Sequence, residues 1–115
     1  MSIWQDKDLL KDIISSIEKI ESYCEELNYS EFLKDFKTQD AIIRNIEIIG
    51  EAVGRLSNEL KVSHLEIPWN NIRGTRNRLI HYYSGVNIDI LWTIVSENLP
   101  DLYLKITKIT SNEEI

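Results

Sequence analysis

Residues 73–83 read RGTRNRLIHYY, and the rest of the chain is read outward from them. They hold three of the five arginines (Arg73, Arg76, Arg78) and one of the two histidines, His81. No acid interrupts residues 67–88, although the chain as a whole carries a formal charge of -6. The order Arg76-Asn77-x-x-x-His81-x-Tyr83 packs a guanidinium, a carboxamide, an imidazole and a phenol into about two helical turns. Arginine grips phosphate as a permanent, bidentate cation, and histidine exchanges protons near neutral pH. A phosphate grip beside a proton shuttle is what cleaving a phosphodiester requires.

The flanking sequence predicts helices on both sides. From Asp6 to Leu27 the apolar residues Leu9, Leu10, Ile13, Ile14, Ile17, Ile20, Cys24 and Leu27 recur at helical spacing. Trp4 is expected to pack the start of this helix and Asn28 to end it. Ser30 is then expected to cap a short turn that carries Phe32 and Phe36 inward. Thr38 reads as the N-cap of a second long helix, with Gln39 and Asp40 in its first turn. Ile42, Ile46, Ile49, Val53, Leu56 and Leu60 form the apolar stripe of that helix. Gly50 and Gly54 each cost about 1 kcal/mol against alanine in a helix, which implies that another helix approaches closely there. Asp40, Arg44, Glu47, Glu51 and Arg55 make a polar stripe on the same helix. It reads either as a solvated face or as one on which Glu47 or Glu51 supports the arginines of the motif.

Residues 61–67 read as a connector containing His64, and Pro68 suits the first turn of a third helix. That helix is expected to run through the motif, with Trp69, Ile72, Leu79 and Tyr83 on one face, Gly74 as a loosening point, and Ser84-Gly85 as its end. Asn87 reads as the cap of a fourth helix that turns Ile88, Leu91, Trp92 and Val95 inward. Pro100 either kinks this helix or starts a fifth, with Leu102, Leu104, Ile106 and Ile109 as its apolar positions. Residues 111–115 read as a frayed tail, and no strand is expected. The architecture is an all-α antiparallel bundle of four to five helices, a single domain over residues 1–115.

Composition narrows the function. An apolar content of 43% and a charged content of 28% describe an ordinary soluble globular chain. One cysteine, Cys24, gives no internal disulfide and suits a reducing cytoplasm. Nothing resembles a signal peptide or a membrane span, so a cytoplasmic protein with no membrane partner is expected. Two histidines in unrelated settings and one cysteine give no metal-ligand spacing, and there is no glycine-rich phosphate loop; no metal and no cofactor are expected. The acidic balance argues against broad nucleic-acid binding, so any RNA contact is local or doubled by symmetry.

On one straight helix Arg76 and His81, five residues apart, would point roughly 140° away from each other. Arg73, Asn77 and His81 would share a stripe at four-residue intervals. Bringing Arg76 to His81 therefore needs a wrapped arginine, an irregular helix near Gly74 or a second protomer. The plain alternative is a helix-face histidine bonded to Asn77, with solvated arginines around it.

The Arg-x-x-x-x-His-x-Tyr pattern resembles the HEPN superfamily, and specifically its HepT-like ribonuclease toxins. RNIEIIGEAV at 44–53, IPWNNIRGTRNRLIHYYSGVN at 67–87, Trp92 and Leu99-Pro100 carry the resemblance further, over roughly residues 40–102. It implies a homodimer whose paired motifs line one cleft, and an endoribonuclease toxin acting on RNA (tRNA or mRNA) without metal. Arg76, His81 and Asn77 would be catalytic, with Arg73, Arg78 and Tyr83 binding RNA or supporting the site. It also implies a cognate MNT-type nucleotidyltransferase antitoxin that silences the toxin by attaching AMP to a tyrosine. The motif tyrosine is Tyr83, with Tyr82 as the neighbouring alternative. In some relatives that tyrosine lies two residues after the arginine, where this chain has Arg78. HEPN domains also serve as non-catalytic partners of minimal nucleotidyltransferases, which leaves a nucleotide-binding or partner-binding module as the second reading.

Overall fold

A computed structural model describes the backbone of residues 3–81 and 85–112 and the side chains of residues 5–79 and 85–111. The architecture is an all-α antiparallel bundle, as the apolar periodicity predicts. Helix α1 (Ile3–Cys24) buries Leu9, Leu10, Ile13, Ile17 and Ile20 against α3 (Phe36–Arg55) and α8 (Leu99–Asn112). From α3 come Ile42, Ile46, Ile49 and Val53, and from α8 Leu102, Ile106 and Ile109. Each such side chain contributes about 1.5–3 kcal/mol on burial, so the core is aliphatic and continuous. Cys24 packs at its edge. The predicted packing of Trp4 lies outside the described side chains.

The α1–α3 connection differs from expectation in its caps. Asn28, not Ser30, starts α2 (Tyr29–Lys34): its side chain accepts from the Glu31 amide at 2.8 Å, and the Glu31 carboxylate accepts from the Asn28 amide at 3.0 Å. Asp35, not Thr38, caps α3 and accepts from the Thr38 amide at 3.0 Å and from its hydroxyl at 2.7 Å. These two donors hold the Asp35 carboxyl below its ordinary range. Starting the helix three residues early puts Phe36 in the first turn, where it is 70% exposed rather than inward. Phe32 alone reaches the core, stacking at a tilt on Trp92. Gln39 is buried instead and donates to the carbonyls of Phe32 and Leu33 at the end of α2, the former also accepting from the Asp35 amide. Tyr29 sets its edge on Trp92 and donates to the Asp89 carboxylate, which holds the phenol proton and raises its pKa.

Part of the expected 61–67 connector is helical. Helix α4 (Asn58–Ser63) is capped by Ser57, whose amide and hydroxyl both donate to the buried Asp6 carboxylate on α1, at 2.8 and 2.5 Å. The expected third helix is broken in two. α5 (Trp69–Arg73) follows Pro68 and stops at Gly74; α6 (Thr75–Leu79) restarts with the Gly74 carbonyl accepting from Asn77 and Arg78. The chain then leaves the helix after Leu79, earlier than expected. Strand β1 (Ile80–His81) pairs antiparallel with β2 (Gly85–Val86) in the register Ile80↔Val86 and His81↔Gly85. Gly85 has φ of 76°, a left-handed conformation that suits glycine. The Asn87 amide donates to the Leu79 carbonyl at 2.8 Å and closes this small hairpin.

Asn87 caps α7 (Ile88–Thr93) as predicted, accepting from the Ile90 amide. α7 runs into α8 through one widened π-helical turn, Ile94–Asn98, in which the Leu99 amide reaches back five residues to the Ile94 carbonyl. Pro100 follows directly. Its ring and missing N–H disturb the preceding turn, and the chain absorbs this by widening the turn while remaining helical from Ile88 to Asn112. The apolar stripe of α8 is Leu99, Leu102, Ile106 and Ile109 at regular helical spacing, and Leu104, expected inward, is 68% exposed because it falls between these turns. Ser111 and Asn112 continue this helix, and residues 113–115 of the expected tail lie outside the described ones. Among the described residues no helix is long and apolar enough to cross a membrane.

Candidate active site

The second half of the polar stripe of α3, Glu47, Glu51 and Arg55, faces α5 and α6, and the two glycines explain how closely. A Cβ on Gly50 would sit 3.3 Å from the Arg73 carbonyl oxygen, so the α5 backbone rests directly on α3. A Cβ on Gly54 would sit 3.2 Å from Arg73 Nε and 3.5 Å from its Cζ, so the guanidinium lies across Gly54. The glycine pair thus serves a contact within the chain. One helical turn away the Arg76 Nε donates to Glu47 Oε2 at 2.5 Å. Of the two acids expected to support the motif, Glu47 is the one in contact with it.

These residues line an open cleft of about 520 Å³ between Glu47, Glu51 and Arg55 on one wall and Arg73, Arg76 and Asn77 on the other. Three guanidiniums (Arg55, Arg73, Arg76) against two carboxylates (Glu47, Glu51) leave it one unit positive, in a chain of charge -6. Because Glu47 engages Arg76 through Nε, the two terminal nitrogens of that guanidinium stay available to an anion. The Asn77 amide makes no hydrogen bond among the described residues and is likewise available. In the sequence Arg55 reads only as the last member of a polar stripe that is either solvated or supports the motif through Glu47 or Glu51. Its spacing of four from Glu51 was the only sign that it shares the Glu47 face.

Arg78 goes elsewhere. Its Nη2 donates to Thr75 Oγ1 at 3.1 Å and to the Asn71 carbonyl at 3.5 Å, and it lines cavities on the other side of α6. The four-residue stripe linking Asn77 to His81 does not form, since α6 ends at Leu79. The irregularity foreseen near Gly74 is present. His81 stands on β1, two residues beyond the helix that carries Arg76 and Asn77. Its side chain, and Tyr82 and Tyr83, lie outside the described residues. His64 is paired with Glu66 at 3.5 Å in the loop after α4, away from the cleft. Among the described residues no three His, Cys, Asp or Glu side chains converge as a metal site would need.

A model of the ribonuclease HepT-like family matches residues 13–109. The chain belongs to the HepT-like ribonuclease family. It is similar to a Thermococcus cleftensis protein named "Probable ribonuclease HepT", 46% identical over 103 residues that span 90% of this chain and 94% of the relative. It is also similar to a Methanocaldococcus jannaschii protein named "Putative RNase", 37% identical over 91% of this chain and 87% of that one. A Caldanaerobacter subterraneus protein with the same kind of name is 34% identical over 91% and 94%. No solved structure matches the chain. Both walls of the cleft fall within the matched HepT-like span.

Proposed function

We propose that this chain is a metal-independent endoribonuclease, the toxin of a toxin–antitoxin pair. The observation that carries the reading is the cleft. An acidic protein gathers Arg55, Arg73 and Arg76 with Asn77 at one place, braces Arg76 with Glu47, and leads from there into the strand that holds His81. In the proposed reaction the ribose 2′-oxygen attacks phosphorus and the bond to the 5′-oxygen breaks. The products are a 2′,3′-cyclic phosphate and a 5′-hydroxyl. His81 takes the 2′-hydroxyl proton or supplies one to the leaving oxygen. Arg76 stabilises the charge that grows on the phosphoryl oxygens, and Asn77 orients the phosphate or the imidazole. Arg73 holds the strand, and Arg78 supports it from the far side of α6. Histidine supplies the proton transfer and arginine the charge, so this scheme needs no divalent ion.

The assembly we propose is a homodimer, because one cleft with a single net positive charge is a weak grip on RNA and a second copy doubles it. The antitoxin we propose is an MNT-type nucleotidyltransferase that attaches AMP to Tyr83, or else to Tyr82. Each AMP would bring an anion able to occupy the arginines that RNA phosphate needs. Incubating wild type and His81→Ala with RNA in EDTA tests the reaction. Wild type should cleave and the variant should not; equal cleavage, or a requirement for divalent metal, sinks the mechanism. Co-expression with the nucleotidyltransferase and intact-mass measurement tests the silencing. A mass gain of AMP units that persists in Tyr83→Phe moves the assignment to another residue, and no gain at all removes it.

A further inference from the structure

Behind α6, on the side away from the cleft, lies a second cavity of about 190 Å³. Its apolar lining includes Ile49, Ile72, Ile94 and Leu102. Its polar lining includes Asn71, Asn98 and Arg78, together with Asp101, whose carboxylate is paired with Lys105 at 2.9 Å. The widened turn before Pro100 shapes it: closing the ring over five residues brings both Asn98 and Leu99 onto the face of Ile94. The side-chain amides of Asn71 and Asn98 make no hydrogen bond among the described residues. Arg78 is fixed at the mouth by Thr75 and the Asn71 carbonyl through one terminal nitrogen, which leaves its other donors outward. A shallower trough of about 310 Å³ continues past Arg78, Ile94 and Asn98 toward Ile90.

We propose that this cavity receives one unstacked pyrimidine base of the RNA strand, read at its edge by Asn71 and Asn98, while Arg78 holds the adjoining phosphate. The inference rests on the ribonuclease reading above and adds a base preference to it. An apolar cavity of about 150 Å³ accepts benzene, so this one takes a six-membered ring with its substituents. Each carboxamide presents a donor and an acceptor side by side, the pattern that matches a base edge. Sequence-specific reading of RNA works on bases splayed out of the stack in this way. An aliphatic side chain from a protein partner would match the apolar lining but leave two amides and a guanidinium unmatched. The same short helix turns Arg76 and Asn77 into the cleft and Thr75 and Arg78 toward the cavity. With a helix only about 10 Å across, a strand bending round α6 reaches both.

The test uses the full chain carrying His81→Ala, so that RNA stays intact, with its Asn71 and Asn98 side-chain amide resonances followed by NMR. It is titrated with four homopolymeric tetraribonucleotides and, separately, with the matching nucleoside monophosphates. The expected result is that one pyrimidine oligomer shifts both amides at a concentration at least about tenfold below the purine oligomers. Asn98→Ala should lower that preference by about tenfold while melting at the wild-type temperature. Three outcomes overturn the proposal: both amides unmoved while Gly50 and Gly54 respond, equal response to all four oligomers, or a free nucleotide binding as tightly as its oligomer. Cleavage by the wild type is scored in parallel. Cleavage with silent Asn71 and Asn98 removes the base pocket alone, whereas no cleavage removes the ribonuclease reading and leaves the pocket to the titration.

Discussion

At the scale of single residues, the cleft depends on two contacts of different kinds. The Glu47–Arg76 pair is half exposed on the arginine side, with 50% of that side chain accessible, so it contributes only about 0.2–1 kcal/mol to stability. Its proposed value lies in fixing where the guanidinium points. Glu47→Ala should therefore leave the melting temperature nearly unchanged and lower kcat/KM roughly ten- to a hundred-fold, the size of one charge-assisted hydrogen bond. Gly54 behaves in the opposite sense. Alanine there gains up to about 1 kcal/mol of helix propensity, and what it meets is the movable head of Arg73. Gly54→Ala should melt no lower than wild type yet bind RNA more weakly, whereas Gly50→Ala presses on backbone and should melt lower. Spacing alone made the glycines legible as a close approach. That the approaching group is Arg73 was not, because the partner comes from some twenty residues away and a single sequence does not report contacts.

At the scale of elements, the long helices were readable and their ends were not. Periodicity placed the α1, α3 and α8 stripes because each spans several turns, but a cap is one residue, and both Asp35 and Thr38 qualify by type. The choice of Asp35 has a pH signature. Its carboxyl is held below the ordinary value by Thr38 donors that exist only in the fold. The stabilisation is full above the unfolded carboxylate range, about pH 4, and is lost as the pH falls through the lower folded value. Melting temperatures of wild type should drop more steeply between about pH 5 and pH 2 than those of Asp35→Asn, which keeps a capping side chain but does not titrate. Near neutrality the two should be close. The end of α6 is hidden in the sequence for a related reason. Ile80 onward is a short run of branched and aromatic residues that fits helix and strand equally, and periodicity cannot separate them over so few positions. Leu104 faces solvent because it lies two residues, about 200° of turn, from both Leu102 and Ile106, so the regular period of α8 itself excludes it from the stripe.

At the scale of the whole molecule, the issue is how a chain of charge -6 holds a polyanion. In the proposed complex Arg55, Arg73 and Arg76 in the cleft and Arg78 behind it meet about four phosphates per copy. For single-stranded RNA the slope of log affinity against log salt should be about -3 if one copy binds and about -6 if two copies combine their sites. Sedimentation at micromolar concentration, run beside that titration, should give a dimer with the steeper slope; a monomer with full activity removes the proposed assembly. The bundle itself owes its stability to aliphatic stripes on α1, α3 and α8, and β1 is a separate element beyond the end of α6. That strand is held by two residue pairs and the bond from Asn87 to Leu79. So small a ladder opens at far lower free energy than the core. Amide protons of residues 80, 81, 86 and 87 should exchange with solvent orders of magnitude faster than those of α1 and α3. In the proposed mechanism such an opening would displace His81 from the arginine cleft while the bundle stays intact, so heat should extinguish cleavage well below the temperature at which the helices melt.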